Sequence, residues 1–172
     1  MKEHVNIEFA SEARADSFWS ALDEVAREEK YLIFIKGPNR TGTRDFVREI
    51  IQKGWSQYYA VSDDRVVGWC DITRYERAGL GHVGHLGMGV IQEFRGKGIG
   101  RKLLQVTLDD AFAKGVERVE LEVFSSNARA RALYLDMGFE WEGCKKRGRC
   151  HDGEYEDIVI MGLLRDAWTS GL

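Results

Sequence analysis

The chain has 172 residues, of which 44% are apolar and 31% charged, and it carries a formal net charge of −3 at neutral pH. This suits a globular chain long enough for one ordinary core, and a single domain over residues 1–172 is expected. The acidic balance argues against a nucleic-acid binder, and no apolar run reaches the roughly 18 residues of a membrane span.

The first residues, Met1-Lys2-Glu3-His4, lack the apolar core of a secretory signal. Cys70, Cys144 and Cys150 are odd in number and have no CxxC spacing. They predict a cytoplasmic protein with idle or buried thiols and no metal site.

In chain order, Val5, Ile7 and Phe9 alternate with polar residues and predict a half-buried strand. Ser11 is placed to cap a helix reaching to about residue 29, with Phe18, Trp19, Leu22, Val25 and Ala26 at helical spacing. Residues 31–35 are a short apolar run closed by Lys36-Gly37-Pro38-Asn39, readable as strand or extended segment. Thr43 is expected to cap a second helix over residues 44–53, stopped by Gly54. Residues 57–62 and 65–73 flank Asp63-Asp64 and predict a hairpin.

Residues 81–91 read as a strand carrying glycines at 81, 84, 87 and 89. Glycine inside a strand marks a bulge or a close approach, and its place here favours a ligand's approach. A helix over residues 99–114 would bury Leu103, Leu104, Thr107, Leu108, Ala111 and Phe112 and end at Gly115. Val119, Leu121 and Val123 alternate with Glu120 and Glu122 as a strand, followed by a short helix over residues 127–137 with Gly138 as its C-cap. Residues 139–146 and 156–164 form the last two strands, joined by a polar loop around His151-Asp152-Gly153. The order βααβββαβαββ predicts an α/β (α+β) fold, a mixed central sheet of about seven strands with four helices.

Between the glycine-bearing strand and the third helix runs Val90-Ile91-Gln92-Glu93-Phe94-Arg95-Gly96-Lys97-Gly98-Ile99-Gly100. Glycines let the backbone turn and come close to a ligand, and the helix start leaves amides unpaired under a dipole that favours an anion. Strand, glycine-rich turn and helix N-terminus make a diphosphate cradle, to which Arg95 and Lys97 add positive charge. A P-loop would require Gly-Lys-Ser/Thr where Gly100-Arg101-Lys102 stands, and a dinucleotide fingerprint would require G-x-G-x-x-G rather than G-x-G-x-G.

Four features together resemble the GCN5-related N-acetyltransferase (GNAT) superfamily. They are Met88-Gly89-Val90, Arg95-x-x-Gly98-x-Gly100, Asn127-Ala128-Arg129-Ala130 and Ala132-Leu133-Tyr134-Leu135-Asp136-Met137-Gly138-Phe139. The likeness is best over residues 82–164. The ending, Asp152-Gly153-Glu154-Tyr155 before Asp157-Ile158-Val159-Ile160-Met161, looks like the branch of bacterial amino-acid and ribosomal-protein N-acetyltransferases.

The resemblance implies acetyl-CoA as co-substrate, no metal, and direct acetyl transfer to the primary amine of a small molecule, with an amino acid or derivative favoured. A protein N-terminus of the ribosomal kind or a polyamine is the alternative acceptor. A non-catalytic acyl-CoA-binding module is the alternative of another class. The amides of Arg95, Gly96, Lys97, Gly98, Ile99 and Gly100 would hold the CoA diphosphate. Met88, Gly89 and Val90 would pair with the pantetheine arm, the Met88 N–H polarising the thioester carbonyl. Asn127 would hydrogen-bond that arm across a splayed gap between the fourth and fifth strands, and Arg129 would lie where it can meet a CoA phosphate. Tyr134 stands where the family keeps its general acid. Family habit and the apolar final strand point to a homodimer.

Acetyl transfer needs a fixed donor, a neutral amine and a proton for the departing sulfur. A thiol titrates at about 8.5 and a tyrosine at about 10, so Tyr134 keeps its proton for that purpose at neutral pH. Candidates for the base are His82, His85, Asp71 and Glu76, with His85 chosen and a water-only path as alternative. The acceptor pocket is expected between the first two helices, residues 31–40 and the last hairpin. Trp19 and Trp55 are further wall candidates, and Phe34, Tyr75 and Tyr155 are taken as substrate-binding. Cys150-His151-Asp152 reads as a loop, and the basic run over residues 145–149 as a solvated strand end or a 3′-phosphate contact.

Overall fold

The computed structural model describes residues 4–169. Alternating apolar and polar residues become strands β1 (Asn6–Phe9), β2 (Ser56–Ser62), β3 (Arg65–Arg74), β4 (Val83–Val90), β5 (Arg118–Phe124), β6 (Glu140–His151) and β7 (Glu154–Leu164). Helical spacing becomes α1 (Ala15–Ala26), α2 (Arg40–Lys53), α3 (Ile99–Ala113) and α4 (Ala128–Asp136). The strands form one sheet in the order β1-β2-β3-β4-β5-β7-β6. Only the β4–β5 pair is parallel.

Side-chain alternation sorts the two layers. Tyr59 and Trp69 meet Phe18 of α1, with ring centroids 5.2 and 5.7 Å away. Cys70, one residue on, turns to the opposite face and meets Thr107 of α3. Leu103, Leu104 and Leu108 of α3 are fully buried there. Among the described residues, no helix is long and apolar enough to cross a membrane.

Local chemistry moved several boundaries. Ser11 opens a short 3-10 turn over Glu12–Arg14 without a side-chain bond, and α1 begins only at Ala15. The cap of α2 is Asn39, not Thr43: its Oδ1 accepts from the Thr41 and Gly42 amides at 2.8 and 3.4 Å. Thr43 instead donates its hydroxyl to the Asn39 carbonyl at 3.2 Å. Residues 31–35 form neither strand nor helix, but part of a bent linker between α1 and α2. Asp23 pins that linker by accepting from the Gly37 amide at 2.7 Å, and the Trp19 Nε1–H donates to the Pro38 carbonyl at 2.6 Å.

The expected loop near residue 151 is the tip of a long hairpin, since β6 runs on to His151. Asp152 and Gly153 make its turn with φ of 50° and 81°, the positive values that two-residue hairpins use. Arg149 Nη2 donates to the Glu29 carbonyl at 2.5 Å and His151 Nε2 lies 2.7 Å from Glu29 Oε2, fastening the hairpin to the linker. Charged, twice-bulged β6 takes the sheet edge, as edge strands commonly do. The final strand β7 is apolar because β5 and β6 flank it, so its composition no longer supports a homodimer.

Two strand glycines make room for packing across the β3–β4 ladder. A Cβ at Gly84 would overlap Ile72 Cγ2, and one at Gly89 would overlap the Trp69 ring. The large neighbour on β3 fills each gap, and Gly84 lies outside the cleft, whereas Gly89 both packs on Trp69 and lines the cleft.

Candidate active site

The site follows from how little β4 and β5 share. They pair only through Val83↔Arg118, Gly84↔Val119 and His85↔Glu120, after which β5 pairs with β7 alone. The closed end is held by the Glu117 and Arg118 amides, which both donate to the His82 carbonyl at 2.9 and 3.3 Å. Beyond it the strands separate into a cleft of about 1390 Å³, above the roughly 300–1,000 Å³ of a single small-ligand pocket.

The edge of β4 facing this gap can be read from its pairing. Ile91 donates to Val67 O at 3.0 Å and Val83 accepts from Tyr75 N at 3.3 Å, so odd-numbered residues bond to β3. The backbone groups of Leu86, Met88 and Val90 therefore point into the cleft. One of them is already used, because Arg95 Nε donates to Val90 O at 2.7 Å.

The glycine turn opens into α3 at the same end. Gly96 and Gly98 each have a φ of +78°, a left-handed conformation that costs other residues about 1–2 kcal/mol. Gly98 is the N-cap and has no side chain to satisfy the first turn. The amides of Gly96, Gly98, Ile99, Gly100 and Arg101 meet no protein acceptor among the described residues, and the first to do so is Lys102, on Gly98 O at 3.2 Å. This cluster of donors at a helix start fits a diphosphate. The Arg95 amide is not part of it, being bonded to Gln92 O at 3.2 Å. The cradle is therefore shifted by one residue from the expected stretch and includes Arg101, whose amide is recognisable only once the helix start is fixed.

The Arg95 side chain also has another task than charging the cradle. Its guanidinium holds Glu28 at 2.8 and 2.5 Å and lies 4.7 Å from the Tyr31 ring centroid, locking the linker against the turn. Arg129 lies against the turn, its Nη2 3.0 Å from where a Gly96 Cβ would stand. Lys97 lies over the Phe94 ring, 4.8 Å from its centroid. Asn127 caps α4 by accepting from the Ala130 amide at 3.2 Å, which occupies its Oδ1 and leaves its Nδ2 for a ligand.

Tyr134 on α4 lines the cleft and is only 7% exposed, packed 5.7 Å from Phe139. Burial pushes its phenol well above the ordinary tyrosine range, with the nearby Cys70 thiol adding to the effect. Its hydroxyl makes no hydrogen bond to the described protein, so a protonated donor stands uncommitted in the wall.

On the α1 and α2 face, His85 and Asp71 line the same cleft. Asp71 is buried, and burial pushes its carboxyl up to about 7, opposed by the nearby Gln57 amide. Glu76 lies outside the cleft, bound to Lys53 at 2.7 Å. His82 does not line the cleft either.

Of the substrate-binding candidates, Phe34 is in the wall. Tyr75 is outside, its hydroxyl donating to Glu120 Oε1 at 2.8 Å beside the closed end of the seam. Tyr155 is outside too, on the hairpin tip beneath Arg147. Tyr155 was not distinguishable from Phe34 in the sequence, because which way its hairpin leans depends on contacts such as Glu29 with His151.

A splayed mixed sheet with unpaired helix amides at its mouth and a buried phenol on its wall is the architecture of an acyl-CoA transferase. The chain belongs to the acetyltransferase (GNAT) family, whose model matches residues 19–139. It is an N-acetyltransferase, and acetyl-CoA is its acyl donor.

Among its relatives is the L-amino acid N-acetyltransferase of Escherichia coli, 32% identical over 114 residues, or 65% of this chain and 70% of that protein. The [ribosomal protein bS18]-alanine N-acetyltransferase of Salmonella typhimurium is 36% identical over 76 residues, 44% of this chain and 51% of that protein. A phosphinothricin acetyltransferase of Sinorhizobium meliloti, solved in complex with acetyl-CoA, superposes with a TM-score of 0.87 at 20% identity, covering 93% of this chain and 88% of that one.

Proposed function

We propose that the protein moves the acetyl group of acetyl-CoA directly onto the primary amine of a small molecule, with an amino acid or a derivative of one in first place. The observation that carries this reading is a free-amide cradle opening into a cleft that also holds an uncommitted phenol. The amides of Gly96, Gly98, Ile99, Gly100 and Arg101 take up diphosphate charge, with Arg129 beside them. Met88 and Val90 offer N–H groups along the cleft edge, and the Met88 N–H suits the oxygen on which charge builds. The amine nitrogen attacks the carbonyl carbon, the carbon–sulfur bond breaks, Tyr134 gives its proton to sulfur, and the proton shed by the nitrogen as the amide forms restores the phenol.

Direct transfer is supported by the cysteines. None lines the cleft among the described residues, and burial pushes the Cys70 thiol far above its ordinary range, so no thiolate is poised to carry the acyl group. The same reading holds residues 1–172 to be one cytoplasmic domain.

Acetylation of a ribosomal-protein N-terminus is the second reading, favoured by the relative that acts on bS18 alanine. Thiol release measured with amino acids, simple amines, polyamines and alanine-ended peptides tests both. Turnover with a free amine that falls sharply in Tyr134→Phe supports the first reading, turnover with peptides alone supports the second, and binding of acetyl-CoA without turnover on any acceptor refutes both.

A further inference from the structure

The acceptor end of the cleft is built unlike the cradle end. Among the described residues, the cations lining the cleft are Arg95, Arg101 and Arg129. Arg95 is matched by Glu28, Arg101 lies 3.0 Å from Asp136, and Arg129 reaches Gly96. All three belong to the diphosphate side. The other side, beneath α1 and α2, is walled by Phe18, Phe34, Phe46 and Trp69. Among the described residues no Arg or Lys lines that side, and the imidazole of His85, beside Asp71, is the one side chain there that can carry positive charge.

What that side does contain is an acid. Asp71 stands opposite Gly87, its Oδ1 3.3 Å from where a Cβ would be, so the absent side chain leaves the carboxyl uncovered toward the strand that borders the acyl site. It forms no ion pair among the described residues. Its partner across the β2–β3 ladder is Gln57, whose buried Nε2 has no hydrogen-bond partner. The other groups around it are Tyr59 of β2, whose hydroxyl donates to Gln57 Oε1 at 3.2 Å, His85 of β4, and Glu122 of β5, which is held by Lys145. The lining residues of α1 and α2 are uncharged.

Resting on the acetyltransferase reading above but narrowing its acceptor to exclude free amino acids, we propose that the acceptor is an apolar amine without a free carboxylate, an alkyl- or arylalkylamine or an amino acid whose carboxyl is masked, and that its ammonium docks on Asp71, which takes the proton. The chemistry balances: the ammonium proton passes to the Asp71 carboxylate, the neutral nitrogen bonds to the acetyl carbon, the carbon–sulfur bond breaks as the leaving sulfur takes the Tyr134 proton, and the second proton that the nitrogen sheds on becoming an amide restores Tyr134, while Asp71 returns its own to solvent. An acid pushed up to about 7 by burial matches this task, being both ionised enough to accept and basic enough to hold the proton at neutral pH. A free carboxylate would instead lie unpaired in an apolar wall near a like charge, which costs several-fold to many-fold in affinity.

The test compares phenethylamine, phenylalaninamide and phenylalanine as acceptors by thiol release, with an alanine-ended peptide alongside. Acetyl-CoA affinity is measured separately by calorimetry. The expected result is a kcat/KM at least about tenfold higher for phenethylamine and phenylalaninamide than for phenylalanine. In Asp71→Asn, amine turnover falls by about 10²-fold or more while acetyl-CoA binding is retained, and Asp71→Glu restores part of it. The acid limb of the wild-type pH profile near 7 disappears in the Asn variant.

Phenylalanine turned over as well as phenethylamine overturns the proposal, as does an Asp71→Asn enzyme of full activity or a clear preference for the peptide. Those results leave the acetyltransferase reading standing. Silence toward every acceptor defeats that reading and this inference together.

Discussion

Burial gives two cleft side chains opposite duties. Tyr134 is held protonated, and removing its hydroxyl in Tyr134→Phe is expected to lower kcat by about 10²–10⁴-fold while leaving acetyl-CoA affinity unchanged, since only the developing thiolate needs it. Asp71 is driven toward neutrality, which links stability to pH. Its carboxyl titrates at about 7 in the folded chain and at about 3.9 when unfolded. Between those values the native chain holds a proton that the unfolded chain has released. The stabilisation is therefore complete below about pH 4 and lost as pH rises through about 7. Asp71→Asn should flatten the fall in urea midpoint across that window; an unchanged slope would show that the group does not titrate there. Tyr134 was legible in the sequence because its motif is local. Asp71 was one base candidate among four, and its standing apart depends on Gln57 and Gly87 on neighbouring strands. The partnership of Arg95 with Glu28 spans 67 positions and has no local signature.

At the scale of the element, glycines along β4 and the turn do separate jobs, and substitution should separate them. Gly98→Ala adds a methyl into open space but at a φ of +78°, an expected cost of about 1–2 kcal/mol paired with weaker acetyl-CoA binding as the cradle shifts. Gly89→Ala drives a Cβ into the Trp69 ring, an expected loss of about 1–3 kcal/mol from overpacking. Urea unfolding and calorimetry on the two variants would distinguish strain in the turn from crowding in the sheet. Periodicity located all seven strands and four helices, and it failed at their ends, where single hydrogen bonds decide. Asn39 outcompeted Thr43 because its side chain reaches two amides of the first turn. The reach of β6 was hidden because an edge strand needs no apolar alternation on its outer side.

For the whole molecule, a ligand that binds only the folded form raises its stability. Acetyl-CoA at a hundredfold excess over its Kd is expected to add about 2.7 kcal/mol, a melting shift of about 5–11 °C for a chain of this size. NAD or ATP should give none. A charged edge strand and a flanked β7 leave the assembly state to be read by light scattering. The order of elements was legible from periodicity, and the site of the cleft from the family resemblance. The elements of the acceptor wall were legible as well, but its side chains were not, since Phe34 lines the cleft while Tyr75 and Tyr155 do not.

The three-residue junction of β4 and β5 also makes the sheet a lever. Two leaves meet at a fulcrum where the Glu117 and Arg118 amides hold the His82 carbonyl, and their free ends carry the diphosphate turn on one arm and Asn127 on the other. A molecule laid along the gap braces both arms at once. Deuterium uptake at the Leu86, Met88 and Val90 amides should accordingly be fast in the free protein and slow with coenzyme A, while the rungs at the pivot exchange at the same rate in both.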